Sequence, residues 1–115
     1  MTVDTYPGGG FSVRIASGTS RGSTTSSAVF TIPMAGVFSH NCNFIVGYDG
    51  LSESRNALFS GSQGTFYSFQ PITTSALTAR LRVWRDTTSA GGTQSTTTWA
   101  TSVTAVFCKW MAVGD

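Results

Sequence analysis

Charge is the scarcest property of this 115-residue chain: Asp, Glu, Lys and Arg together make up 10 %, with a single Lys and a single Glu among them. Seven basic and five acidic side chains lie singly along the sequence and leave a net charge of +2. That excludes the basic stripe on which nucleic-acid binding depends. Helix formers are equally sparse, and no stretch spaces its apolar residues by three and four, so a helical domain is excluded as well. No apolar run has the length of a membrane span, and no basic-then-apolar signal opens the chain, so a soluble product with no membrane partner is expected. No Asn begins an Asn-x-Ser/Thr sequon.

Candidate chemistry is thin too. His40 is the one histidine, and its strand offers neither nucleophile nor carboxylate on its own face, so a buried, hydrogen-bonded structural role is expected and no catalytic residue is assigned. Asp49, Glu53, Asp86 and Asp115 are too dispersed for a zinc or calcium motif; no metal and no cofactor is expected. Gly8-Gly9-Gly10 precedes no helix start and no Lys, which makes it a hinge and not a phosphate cradle. Two cysteines, Cys42 and Cys108, could form one bridge, but two buried thiols are the preferred reading. An enzyme is not expected.

What the chain does have is Gly, Ser and Thr in abundance beside Val, Ile, Phe and Trp, a composition of strands and turns. At this length it builds one core. Residues 1–10 read as a flexible N-terminal arm and residues 11–115 as one domain. Phe11, Val13 and Ile15 alternate in a short first strand, and 16–27 reads as a Ser/Thr/Gly loop. Ala28, Phe30 and Ile32 share one side of a strand that Pro33 ends, and Gly36 allows the tight re-entry at Val37. From Phe38 the even positions Phe38, His40, Cys42, Phe44, Val46 and Tyr48 form one face of a long half-buried strand.

Asp49-Gly50 signals a turn before the polar segment 51–56, and a brief strand is expected over 57–60. Tyr67 and Phe69 share a face of a strand over 65–70 closed by Pro71. In the next strand Leu77, Ala79, Leu81 and Val83 oppose Arg80, Arg82 and Trp84. Residues 86–98 read as an exposed low-complexity loop. Trp99 to Val113 is the closing strand, apolar on both faces and therefore covered twice. Arg80, Arg82 and Trp84 could stack on and pair with an anionic or sugar ligand, although a solvated face with one packed indole is the preferred reading; Glu53 and Arg55 in the polar segment join them as candidate contacts for a host glycan or protein.

Seven to nine short strands with a doubly coated closing strand suit a two-sheet jelly-roll β-sandwich. The segment Phe30-Thr31-x-Pro33-x-x-Gly36-Val37-Phe38 resembles the Phe-Thr-x-Pro-x-x-Gly-x-Tyr-x-Phe signature of the globular heads of the complement recognition subunit and of the tumour necrosis factor superfamily. It departs from that signature at His40, where a second aromatic is usual. Val106-Phe107-Cys108-Lys109-Trp110-Met111 looks like the last strand of that family, which returns beside the long one. The resemblance covers about 11–113 and implies a homotrimer with Phe107, Trp110 and Met111 at its interface.

Similar heads occur on bacteriophage tail-fibre tips and capsids, and Trp110-Met111-Ala112-Val113-Gly114 resembles the Trp-x-Ala-x-Gly close of phage fibre tips. The implied role is a virion structural protein, made in the bacterial host cytoplasm, that decorates or cements the capsid with the major capsid protein as partner. In that role the arm 1–10 would reach onto the neighbouring surface. The alternative is a receptor-binding tip that uses residues 51–56 and 86–98. No heptad, repeat or collagen-like period supplies a shaft, which favours decoration.

Overall fold

A computed structural model describes residues 1–8, 11–50, 64–88 and 95–115. The described residues are all-β: β1 (Thr2–Gly8), β2 (Phe11–Gly22), β3 (Val29–Pro33), β4 (Cys42–Asp49), β5 (Gly64–Thr74), β6 (Thr78–Thr88), β7 (Ser95–Trp99) and β8 (Val106–Gly114). They form one antiparallel sheet in the order β1-β2-β8-β4-β5-β6-β3, with β7 also paired to β6. β3 takes the first half of β6 and β7 the second.

The sheet curls. Ala16 on β2, Trp110 on β8, Leu81 on β6 and Phe30 and Ile32 on β3 belong to one buried cluster although they sit far apart in strand order. Curling lets the inner face of the sheet bury itself without a second domain. The seam is narrowest between β4 and β5, where Tyr48 and Ser68 are the only ladder partners among the described residues. Asp49 reinforces this seam from inside: its carboxylate is fully buried and accepts a 3.0 Å hydrogen bond from the Tyr67 backbone N–H. Asp49→Ala removes that buried acceptor, and a loss of about 1–3 kcal/mol is expected in chemical denaturation.

The loops at one end are clasped together. Thr24 Oγ1 donates to Ala100 O at 2.6 Å and accepts from Val103 N at 2.9 Å, while the Thr24 N–H donates to Val103 O. At the other end Arg14 Nη1 donates to the Val37 carbonyl, and Ser39 and His40 donate their backbone N–H groups to the Asp115 carbonyl.

Several sequence readings hold. Ala28, Phe30 and Ile32 are buried, Pro33 ends β3, and Gly36 adopts φ +81° in the corner that follows. Ala79, Leu81 and Val83 line the inside of β6, and Tyr67 the inside of β5. Both cysteines are free and buried. They lie at opposite ends of β8: Cys42 opposes Gly114 and Cys108 opposes Asp49. Six residues of extended chain separate those two positions, roughly 20 Å, which rules out a bridge.

Other readings are corrected. Residues 2–8 are not a free arm; they pair with β2 over seven partners, from Thr2↔Ser17 to Gly8↔Phe11. The expected loop 16–27 is strand as far as Gly22, because β8 supplies a ladder for it. β5 continues past Pro71 through a register shift that absorbs the missing donor. Leu77 precedes β6 and is exposed. Within the expected loop 86–98, residues 86–88 extend β6 and 95–98 belong to β7, which pairs with it. Trp99 ends β7, and the closing strand starts at Val106. The His40 side chain is exposed, since its neighbours form a bend and not a strand. The expected strand over 57–60 and the segment 51–56 lie outside the described residues.

Candidate functional site

The long strand does not run from Phe38. It begins at Cys42, and a register shift between Cys42 and Phe44 leaves Asn43 without a partner on β8. One extra residue reverses the inward and outward parity of everything after it. Cys42 therefore points inward, but Phe44, Val46 and Tyr48 point outward at 54 %, 42 % and 55 % exposure, while Ile45 and Asp49 take the interior.

These outward side chains meet others across the ladder. Phe44 opposes Val113, which opposes Ile15; Val46 opposes Met111, which opposes Ser17; Tyr48 opposes Lys109, which opposes Thr19. The outer face of β2, β8 and β4 thus carries a contiguous apolar centre of Ile15, Phe44, Val46, Met111 and Val113. Met111 is 43 % exposed. Lys109 and Tyr48 close the centre on one side, and beyond them the Arg21 guanidinium lies 4.7 Å from the centre of the Phe107 ring. An apolar centre with a polar margin is the anatomy of an association surface.

Of the three interface residues the resemblance implies, Phe107 and Met111 lie on this face. Trp110 does not: it points inward, is 5 % exposed and donates its indole N–H to Ser20 Oγ at 3.2 Å. Gly18 opposes it, and a Cβ there would stand 2.8 Å from the ring, so only glycine lets the indole lie flat against β2. Sequence periodicity separated the two faces of β8 correctly. It missed Phe44, Val46 and Tyr48 as surface residues because a bulge leaves no mark in the alternation.

The Cys108 thiol lies on the inner face of β8. Burial is the main cause that pushes it up to about 12; the nearby Asp49 carboxylate adds to the rise and a backbone hydrogen bond at Tyr48 opposes it. A thiol held protonated in the fold ionises more readily in the unfolded chain, so stability is fully present below about pH 9 and falls as pH rises toward 12. Denaturation curves between these limits are expected to slope downward by up to about 1.4 kcal/mol per pH unit more than those of Cys108→Ala.

The second feature lies on β6 and β7. Trp84 and Trp99 are ladder partners with ring centroids 3.9 Å apart and planes 31° from parallel. The Arg82 guanidinium stands 4.6 Å from the Trp99 ring centre. Arg80, on the same face of β6, is exposed; Glu53 and Arg55 lie outside the described residues. Trp99 was not legible as part of this group, although the β-branched run Thr96-Thr97-Thr98 before it is a strand signal. Among the described residues no three His, Cys, Asp or Glu side chains come together as metal ligands.

Comparison with known proteins returns no matching family model, no matching curated protein and no matching solved structure.

Proposed function

We propose that this chain is a structural protein of a bacteriophage particle surface, a homotrimer whose subunits meet through the outer face of β2, β8 and β4 and which decorates the capsid. The observation that carries the association is that face itself, since Phe44, Val46 and Met111, exposed beside the half-buried Ile15 and Val113, leave apolar surface in water, a cost that contact between copies removes. The trimeric state and the phage setting come from the resemblance at Phe30 to Phe38 and at Trp110 to Gly114. The resemblance implies a last strand lying beside the long one, and β8 does pair with β4.

The jelly-roll sandwich belongs to the same proposal. What supports it is that Tyr48 and Ser68 are the one ladder pair among the described residues between β4 and β5, a narrow seam between β1-β2-β8-β4 and the strands β5, β6, β3 and β7, all around one core. With residues 2–8 paired to β2, attachment through a free arm drops out of the account, and the surface left for the capsid is the exposed edge strand β1 with the loops around it.

Copy number on the purified particle tests the placement. Hundreds of chains per particle agree with shell decoration, and a few trimers would move the protein to a tail tip. The Arg82, Trp84 and Trp99 group favours that second reading, a receptor-binding tip that contacts a host glycan.

A further inference from the structure

Beside Trp99 the sheet edge and two loops border a shallow, open cleft of about 320 Å³ lined by Ser26, Ser27, Arg82, Trp99 and Thr101. We infer that this cleft binds an acidic saccharide, a uronic or sialic acid unit, with its carboxylate on Arg82 and its ring against Trp99. The volume is at the small end of ligand clefts, roughly 300–1,000 Å³, and suits a short saccharide.

Each part of the lining matches one part of such a ligand. Among the described residues Arg82 is the only charged one in the wall, which makes the described lining positive. Its Nε is buried and has no hydrogen-bond partner among the described residues, so a carboxylate would meet the outer Nη groups of the planar guanidinium. Trp99 is 42 % exposed; with Trp84 stacked on one face and the Arg82 guanidinium over the other, what it offers a ligand is the indole edge, apolar surface against which the C–H groups of a pyranose can pack. The hydroxyls of Ser26, Ser27 and Thr101 can donate to and accept from sugar hydroxyls. A single guanidinium and no lysine leave a phosphate dianion half compensated, which favours the carboxylate.

The walls are held before any ligand arrives. Trp84 braces Trp99 by stacking, and the Ala100 N–H donates to the Val83 carbonyl at 2.9 Å, which pins the chain just after Trp99. The Thr24 clasp ties the 24–28 loop to residues 100–103, and the Ser102 N–H donates to the Thr25 carbonyl. Such bracing lowers the ordering cost of binding. The cleft is separated from the outer face of β2, β8 and β4 by β5, so it does not depend on the oligomeric state; it deepens the recognition reading by naming a ligand class.

The test is a titration of the full chain with methyl glucuronide, methyl glucoside and inorganic phosphate, followed through the Trp99 indole and the Arg82 and Thr101 amide resonances. Glucuronide is expected to shift all three saturably, glucoside about tenfold more weakly or worse, and phosphate not at all. Arg82→Gln should bring glucuronide down to the glucoside level, and Trp99→Leu should weaken both sugars. Should either variant unfold, Ser27→Ala and Thr101→Val, both outside the strands, are each expected to weaken glucuronide severalfold. The inference is overturned by the lack of a saturable shift at about 50 mM glucuronide, by phosphate competing equally, or by variants with unchanged affinity. A monomer that binds glucuronide removes the trimer and leaves the saccharide site standing.

Discussion

Trp110→Ala is expected to destabilise the subunit by about 3–5 kcal/mol, the largest single loss within the fold. The indole fills the space over Gly18, and no Cβ on that residue can grow into the vacated volume. Truncation also leaves Ser20 Oγ without its indole donor. Against a total stability of roughly 5–15 kcal/mol for a domain of this kind, such a loss shows as a large shift of the urea midpoint. Trp110→Phe keeps most of the packing and loses the Ser20 contact, so about 1–2 kcal/mol is expected. The pair also separates two accounts of this residue. A tryptophan in a subunit interface would, when truncated, dissociate the assembly and leave the isolated subunit as stable as before; a core tryptophan weakens the subunit itself.

Met111→Lys and, separately, Val46→Lys are expected to do the reverse. Both side chains are exposed in the subunit, so each variant should keep its stability to within about 0.5 kcal/mol. In the proposed assembly both sit in the middle of the contact, as direct cross-strand partners. A lysine there is buried without a counter-ion in every interface of the ring, and a cost of about 4 kcal/mol per interface is roughly a thousandfold in the dissociation constant. Sedimentation velocity at fixed concentration should show the subunit in place of the trimer, with an unchanged far-ultraviolet spectrum. Variants that stay assembled place the contact elsewhere; variants that unfold show that these side chains are part of the core.

The contrast between the two tests shows what the sequence disclosed and what it hid. β3, its Pro33 stop and the Gly36 corner are written in local chemistry: a missing N–H and a positive φ leave residue-level marks. The two faces of β8 are written in strict alternation. The outer apolar face was half legible, through Met111 and Phe107, because β8 has no bulge. On β4 the same alternation misled, because the unpaired Asn43 is chemically unremarkable and only the ladder with Val113 and Gly114 reveals the shift. β1 and the far half of β2 were hidden for a related reason. Their Ser, Thr and Gly content reads as loop, and what holds them in strands is the pairing offered by neighbours distant in sequence. The Trp84 and Trp99 pair depends on such a pairing as well, across β6 and β7.

Sedimentation equilibrium of the unmodified chain tests the buried outer face most directly. The account predicts a single species of three times the 12.1 kDa chain mass, with Met111 protected from oxidation until the trimer is diluted apart. A well-folded 12.1 kDa species at about 100 μM, with Met111 freely oxidised, would contradict it.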